Sequence, residues 1–213
     1  MKAEFWHQKW QAGQIGFHKA EVNPALVRHL PALGLSEGVR VFLPLCGKTL
    51  DIGWLRAQGY RVAGAELSEL AVRQLFDDLG ETPDIVNSGA LKQYRTEGID
   101  IFVGDIFELT AQALGPVDAV YDRAALVALP AEMRPDYAQH VAAVTANAAQ
   151  LLISFDYDQS VMAGPPFSVP SSEVSRLYAV THAPVLVEQA EVEGGLKGFC
   201  PADAYIWHLQ PRM

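Results

Sequence analysis

Up to Asp158 the chain alternates short, continuous apolar runs with stretches in which apolar residues recur every three or four positions. The continuous runs suit strands buried on both faces, and the three-to-four spacing suits amphipathic helices. Trp6 and Trp10, four apart, share one face of a short N-terminal helix. Asn23-Pro24 offers an N-cap and a first-turn proline to a second helix that ends near Gly34. Residues 39–45 form a strand, Cys46-Gly47-Lys48-Thr49 the turn out of it, and Leu50, Trp54 and Leu55 the apolar face of the next helix. A second strand, 61–65, ends on Glu66. Ser68 caps the helix after it, in which Leu70, Leu75 and Leu79 repeat at helical intervals up to Gly80.

A hairpin follows, with residues 92–95 turning through Thr96-Glu97-Gly98 into a strand at 99–103 that stops at Gly104-Asp105. Another strand, 117–121, stops at Asp122-Arg123. Pro135 opens a helix that runs through Val144, and a strand at 151–155 stops at Asp156. Beyond Asp158 the pattern changes to a turn-rich stretch, Ala163-Gly164-Pro165-Pro166-Phe167, a capped helix near 172–178, and β-like runs at 185–192 and 204–209. Too few residues separate these two runs for a crossover helix, so they pair antiparallel. Strands alternating with helices predict an open α/β sheet covered on both faces. No repeat or linker interrupts the pattern, and 1–213 reads as one domain.

Composition narrows the chemistry. Lys and Arg total 16 against 25 Asp and Glu, a formal net charge of −9, and no basic run offers a phosphate-binding surface, so a nucleic-acid partner is not expected. The two cysteines, Cys46 and Cys200, lack the spacing of a metal site or a disulfide framework. The first ten residues carry charges where a signal peptide would be apolar, and no 18-residue apolar run occurs, which predicts no membrane partner and a cytoplasmic location. No dimerisation stripe stands out, so a monomer is the expected state.

In an open α/β sheet, ligands bind outside the carboxyl ends of the strands. The residues there are polar: Cys46-Gly47, Glu66, Gly104-Asp105, Asp122-Arg123 and Asp156. Gly47 and Glu66 are 19 residues apart, close to the ~20 at which an acid after the second strand meets a ribose diol. Glu66 also reads as an ordinary first-turn acid, and the combination with Gly47 and Asp105 favours nucleoside binding. The first turn lacks G-x-G-x-x-G, and no phosphate-binding G-x-x-x-x-G-K-[ST] loop exists. A nucleoside without phosphates is preferred, and S-adenosyl-L-methionine is the common cofactor of that description.

The chain resembles the thiopurine S-methyltransferases. The blocks that carry the resemblance are Phe5-Trp6 with Lys9-Trp10, Gly16-Phe17-His18, Arg40-Val41-Phe42 through Pro44-Leu45-Cys46-Gly47-Lys48, and Glu66-Leu67-Ser68-Glu69-Leu70. Asp122-Arg123 with Ala125-Leu126-Val127-Ala128 and Gly164-Pro165-Pro166-Phe167 with Val169-Pro170 complete them. The resemblance implies a Rossmann-like, mostly parallel seven-stranded sheet with an antiparallel last strand, and N-terminal helices within 1–35 that cover the cofactor site. It implies that Trp10 closes over the cofactor, that the backbone at Leu45 meets its methionine part, that Glu66 binds the ribose, and that Asp105 and Ile106 flank the adenine. The resemblance further implies that Arg123 lies where cofactor and acceptor meet, as both a catalytic and a cofactor-contacting residue, and that Phe17 lines the acceptor pocket. Lys197 stands where relatives can present an arginine toward the acceptor.

Methyl transfer from S-adenosylmethionine to an aromatic or heterocyclic thiol such as a thiopurine is the expected reaction. Selenium or tellurium acceptors, with tellurite resistance as the consequence, are the alternative within the family. A non-catalytic nucleoside sensor and a nicotinamide-dependent oxidoreductase are the alternatives outside it. Trp6, Cys46 and Cys200 read as packing residues, His7 and His18 carry no catalytic assignment, and the Gly164-Pro165-Pro166 stretch reads as turn punctuation or as a stiff lid over the acceptor.

Overall fold

The computed structural model describes residues 3–212. Met1, Lys2 and Met213, the ends of the expected 1–213 and 1–35 spans, lie outside them. Nine strands form one sheet: β1 (Arg40–Leu43), β2 (Arg61–Glu66), β3 (Asp84–Ser88), β4 (Leu91–Thr96), β5 (Ile99–Val103), β6 (Ala119–Arg123), β7 (Ala149–Asp156), β8 (His182–Glu191) and β9 (Asp203–Pro211), in the order β3-β4-β5-β2-β1-β6-β7-β9-β8. The strands β5, β2, β1, β6 and β7 pair parallel, and β9 enters antiparallel between β7 and β8. The seven strands from β5 to β8 match the expected number. The hairpin partner β4 and the strand β3 extend the edge beyond it, so the expected count of seven is corrected to nine among the described residues.

The sequence does not mark strand β3 because its two apolar residues, Ile85 and Val86, are too few to stand out as a run. Ile85 is 53% exposed, and the strand is held by its register with β4 rather than by burial. The first strand is shorter than expected. Pro44 has no N–H for a ladder bond, and Leu45 turns the chain with φ +47.

Successive residues of the parallel strands point to opposite faces. Val41 and Leu43 of β1, Tyr121 of β6 and Leu151 and Ile153 of β7 enter one apolar cluster. The helices α2 (Pro24–His29), α3 (Asp51–Ala57) and α4 (Glu69–Leu79) cover this face with Leu26, Ile52, Leu55, Val72 and Phe76. Phe42, Val120 and Leu152 enter the other cluster, where α5 (Ala111–Leu114), α6 (Arg134–Val144) and α7 (Ser171–Tyr178) contribute Leu114, Tyr137, Val141, Val174 and Tyr178.

Asn23 caps α2 by accepting from the Ala25 N–H at 2.9 Å, with Pro24 opening the helix. Ser68 caps α4, and Gly80 ends it at φ +70. The buried face of α4 is Ala71, Val72, Leu75 and Phe76, while Leu70 is exposed, which corrects the face read from leucine spacing alone. α7 begins at Ser171, and Pro170 before it makes no side-chain cap bond, in contrast to the expected capped start.

Candidate active site

The site grows from the loop after β1. The reversed backbone at Leu45 and the positive φ of Gly47, +55, bend this loop back over the sheet. A side chain at Gly47 would start 3.1 Å from the Trp10 ring, so the positive φ favours glycine and a Cβ would crowd the ring. The Cys46 N–H donates to the Ala65 carbonyl at 2.9 Å, and the Gly47 N–H donates to the Glu66 carboxylate at 2.8 Å. The other Glu66 oxygen accepts from the Ser68 N–H at 2.8 Å. The 19-residue spacing is therefore a direct contact, with Glu66 bracing the loop it faces. Burial raises the Glu66 pKa, and the backbone donors pull against that shift.

α1 (Ala3–Gln11) closes the opposite side. Trp10 is buried, Trp6 is half-buried, and the Phe17 ring meets both edge-on, with centroids 5.7 Å from Trp6 and 5.5 Å from Trp10. Between this aromatic cover and the strand ends lies a cavity of about 140 Å³. All seven residues singled out from the sequence, Trp10, Phe17, Leu45, Glu66, Asp105, Ile106 and Arg123, line it. The strand order β5-β2-β1-β6 sets Asp105, Glu66, Leu45 and Arg123 side by side along the sheet.

The electrostatics are uneven. Asp105 is exposed and caps the short turn Ile106–Glu108 by accepting from the Phe107 N–H at 3.0 Å. Arg123 has no ion-pair partner among the described residues, although Arg123 and Lys48 both face the cavity. Lys48 instead meets Asp78 at 3.0 Å. Partial burial and then the Lys48 charge push His18 below the ordinary histidine value, so this cavity-lining imidazole is neutral near pH 7. Burial pushes the Cys46 thiol well up, and its Sγ lies where a side chain on Gly64 would sit, 2.8 Å from that position. Both observations match the packing role.

Several strand-end residues belong elsewhere. Asp122 does not line the cavity; it is fully buried, accepting from the Tyr137 hydroxyl at 2.7 Å and the Leu126 N–H at 3.1 Å. Asp156 accepts from the Ser168 hydroxyl at 3.2 Å, also away from the cavity. Lys197 is exposed and does not line the cavity. Nor does the 163–167 stretch: Phe167 N–H donates to the Val127 carbonyl at 2.7 Å, which fastens the segment to the turn after β6. Sequence reasoning passed over Asp51 and Tyr121. Asp51 is 1% exposed, lines the cavity, and accepts from the Tyr121 hydroxyl at 3.1 Å and the Asn23 N–H at 2.8 Å. The only signal for it in the chain is an acid set among apolar residues in Leu50-Asp51-Ile52, directly after the first loop.

The family model for thiopurine S-methyltransferase matches residues 1–197. The chain belongs to the thiopurine S-methyltransferase family. A thiopurine S-methyltransferase of Xanthobacter autotrophicus is 53% identical over 99% of both chains, and one of Gluconobacter oxydans is 47% identical over 98% of this chain and 95% of that one. The chain is thus an S-adenosylmethionine-dependent methyltransferase. The fold is shared more widely. A Burkholderia thailandensis 1,6-didemethyltoxoflavin-N1-methyltransferase, solved with S-adenosylhomocysteine, superposes with a TM-score of 0.66 at 17% identity, over 98% of this chain and 87% of that one. Among the described residues no helix is long and apolar enough to cross a membrane.

Proposed function

We propose that this methyltransferase acts on the sulfur of aromatic and heterocyclic thiols, thiopurines among them. The observation that carries the reading is Arg123, a cation without an ion-pair partner among the described residues, set in the same cavity as the aromatic cover of Trp6, Trp10 and Phe17. The lining fits the cofactor: Glu66 is a buried carboxylate without a cationic partner among the described residues, and aromatic faces suit a sulfonium at about 6 Å. S-Adenosylmethionine, when bound, supplies an electrophilic methyl group and a leaving group that departs as a neutral thioether.

The residues divide the remaining work. Glu66 has free lone pairs for the ribose hydroxyls beyond its two backbone bonds. Asp105 and Ile106 flank the adenine, the backbone at Leu45 receives the methionine part, and Trp10 closes over both. Phe17 holds the flat acceptor. Arg123 favours the acceptor's thiolate form, because a fixed cation in a water-poor wall stabilises an anion beside it. An acceptor already largely ionised needs no strong base, so alignment and exclusion of water do the rest. The neutral His18 and the protonated Cys46 are accordingly left without a chemical role.

The test is S-adenosylhomocysteine formation with a thiopurine, with an aliphatic thiol, and with selenite or tellurite. Turnover highest with the thiopurine supports the reading. Turnover with the selenium or tellurium oxyanions alone would replace it with chalcogen detoxification, and tight cofactor binding with no turnover on any acceptor would replace it with a sensor.

A further inference from the structure

We propose that Asp51 is the residue that receives the ammonium group of the cofactor's amino-acid part. The inference rests on the cofactor reading above and adds a residue that neither the motifs nor the family resemblance picked out.

Three observations lead to it. Asp51 is a carboxylate at 1% exposure on the cavity wall, and it has no ion-pair partner among the described residues. Its two hydrogen bonds come from neutral donors, the Asn23 N–H on one oxygen and the Tyr121 hydroxyl on the other. A buried charge with neutral partners alone is costly, and a cation brought by the ligand offsets that cost. Burial pushes the Tyr121 hydroxyl well above its ordinary value, so it stays a donor and the carboxylate stays the acceptor. The two donors come from the N-terminal segment and from β6, which fixes the carboxylate's orientation before any ligand arrives.

Position selects the ammonium among the cofactor's groups. Along β5, β2, β1 and β6 the cavity presents Asp105, then Glu66, then the Leu45 loop with Asp51, then Tyr121 and Arg123. Adenine, ribose and amino acid follow one another in the cofactor in the same order. Asp51 is the first carboxylate past the ribose position, Glu66 lies at that position itself, and Asp105 lies beyond it on the adenine side. The guanidinium of Arg123, at the end of β6 and without an ion-pair partner among the described residues, repels an ammonium and favours anions.

The experiment is a calorimetric cycle with two ligands and three proteins. The ligands are S-adenosylhomocysteine and its deaminated analogue, in which hydrogen replaces the ammonium. The proteins are the parent chain, Asp51→Asn and Asp51→Glu. Asparagine keeps the size and the bond from the Asn23 N–H but removes the charge, and glutamate restores the charge. The expected result is at least a ten-fold loss of S-adenosylhomocysteine affinity in Asp51→Asn, a loss of two-fold or less for the deaminated analogue, and partial recovery in Asp51→Glu. Equal losses for both ligands would assign Asp51 a purely structural role, and no loss for either would remove it from the site; both overturn the proposal. Failure of the parent chain to bind S-adenosylhomocysteine would instead overturn the cofactor reading, so the two failures are told apart.

Discussion

Glu66 at the end of β2 and Asp122 near the end of β6 are both buried carboxylates held by hydrogen bonds. Their donors and their surroundings differ. Glu66 takes two backbone N–H groups and keeps an edge on the cavity, beside the loop it braces. Asp122 takes the Tyr137 hydroxyl from α6 and the Leu126 N–H from the turn after β6, with no opening to the cavity. Its neighbours in β6, Tyr121 and Arg123, both line the cavity, because alternate strand residues face opposite ways. One acid therefore faces the cavity, and the other ties the strand end that carries Arg123 to α6.

The largest expected effect tests what that strand end presents. Arg123→Ala is expected to lower turnover with a thiol acceptor by about 10²–10³-fold, the range for losing one group that stabilises developing or bound charge, with the cofactor dissociation constant changing far less. Rates of S-adenosylhomocysteine formation alongside calorimetry check it; an affinity loss as large as the rate loss would assign Arg123 to the cofactor alone.

Asp122 sharpens the contrast through pH. Burial lifts its carboxyl to about 6 against an ordinary 3.8, and the Tyr137, Leu126 and Ala125 donors pull against that shift. The folded chain then holds the proton more tightly than the unfolded chain does. The stabilisation is full below pH 4, fades as the pH rises, and is gone above about 6, a difference of about 3 kcal/mol at roughly 1.4 kcal/mol per unit. Asp122→Asn is expected to remove that dependence. Urea midpoints of both proteins at pH 4.5 and 7.5 measure it, and parallel pH responses would contradict the buried titration.

Glu66→Gln is expected to weaken cofactor binding by about 2 kcal/mol, through loss of charged hydrogen bonds, while leaving the pH dependence assigned to Asp122 intact. An unchanged dissociation constant in calorimetry would leave Glu66 as a loop brace only. The smallest effect is expected at Lys197, exposed and away from the cavity: Lys197→Ala should leave turnover within two-fold for every acceptor. A selective loss with one acceptor would return it to the site.

Much of the fold could be read because it depends on local and periodic signals. Apolar runs marked the central strands, Asn23-Pro24 and Ser68 marked helix starts, and Glu97-Gly98 marked the hairpin turn. The strand β3 escaped because an edge strand is held by backbone bonds and needs no apolar face. The site residues were legible where they end strands, since topology sends ligands there. That same rule overreached at Asp122 and Asp156, because a strand-end acid has two faces to choose from. It missed Asp51, which begins a helix rather than ends a strand.

The sequence by itself determined the alternation of strands and helices, the family, and the seven residues that meet at one cavity, because each rests on spacing along the chain or on motif identity. Only the tertiary structure decided which buried acids face that cavity, that Lys197 and the 163–167 stretch stay outside it, and that Arg123 and Asp51 line it without an ion-pair partner among the described residues. Side-chain direction and charge pairing depend on contacts between segments far apart in the chain. Asn23, Asp51 and Tyr121 are one such contact, and no local pattern encodes it.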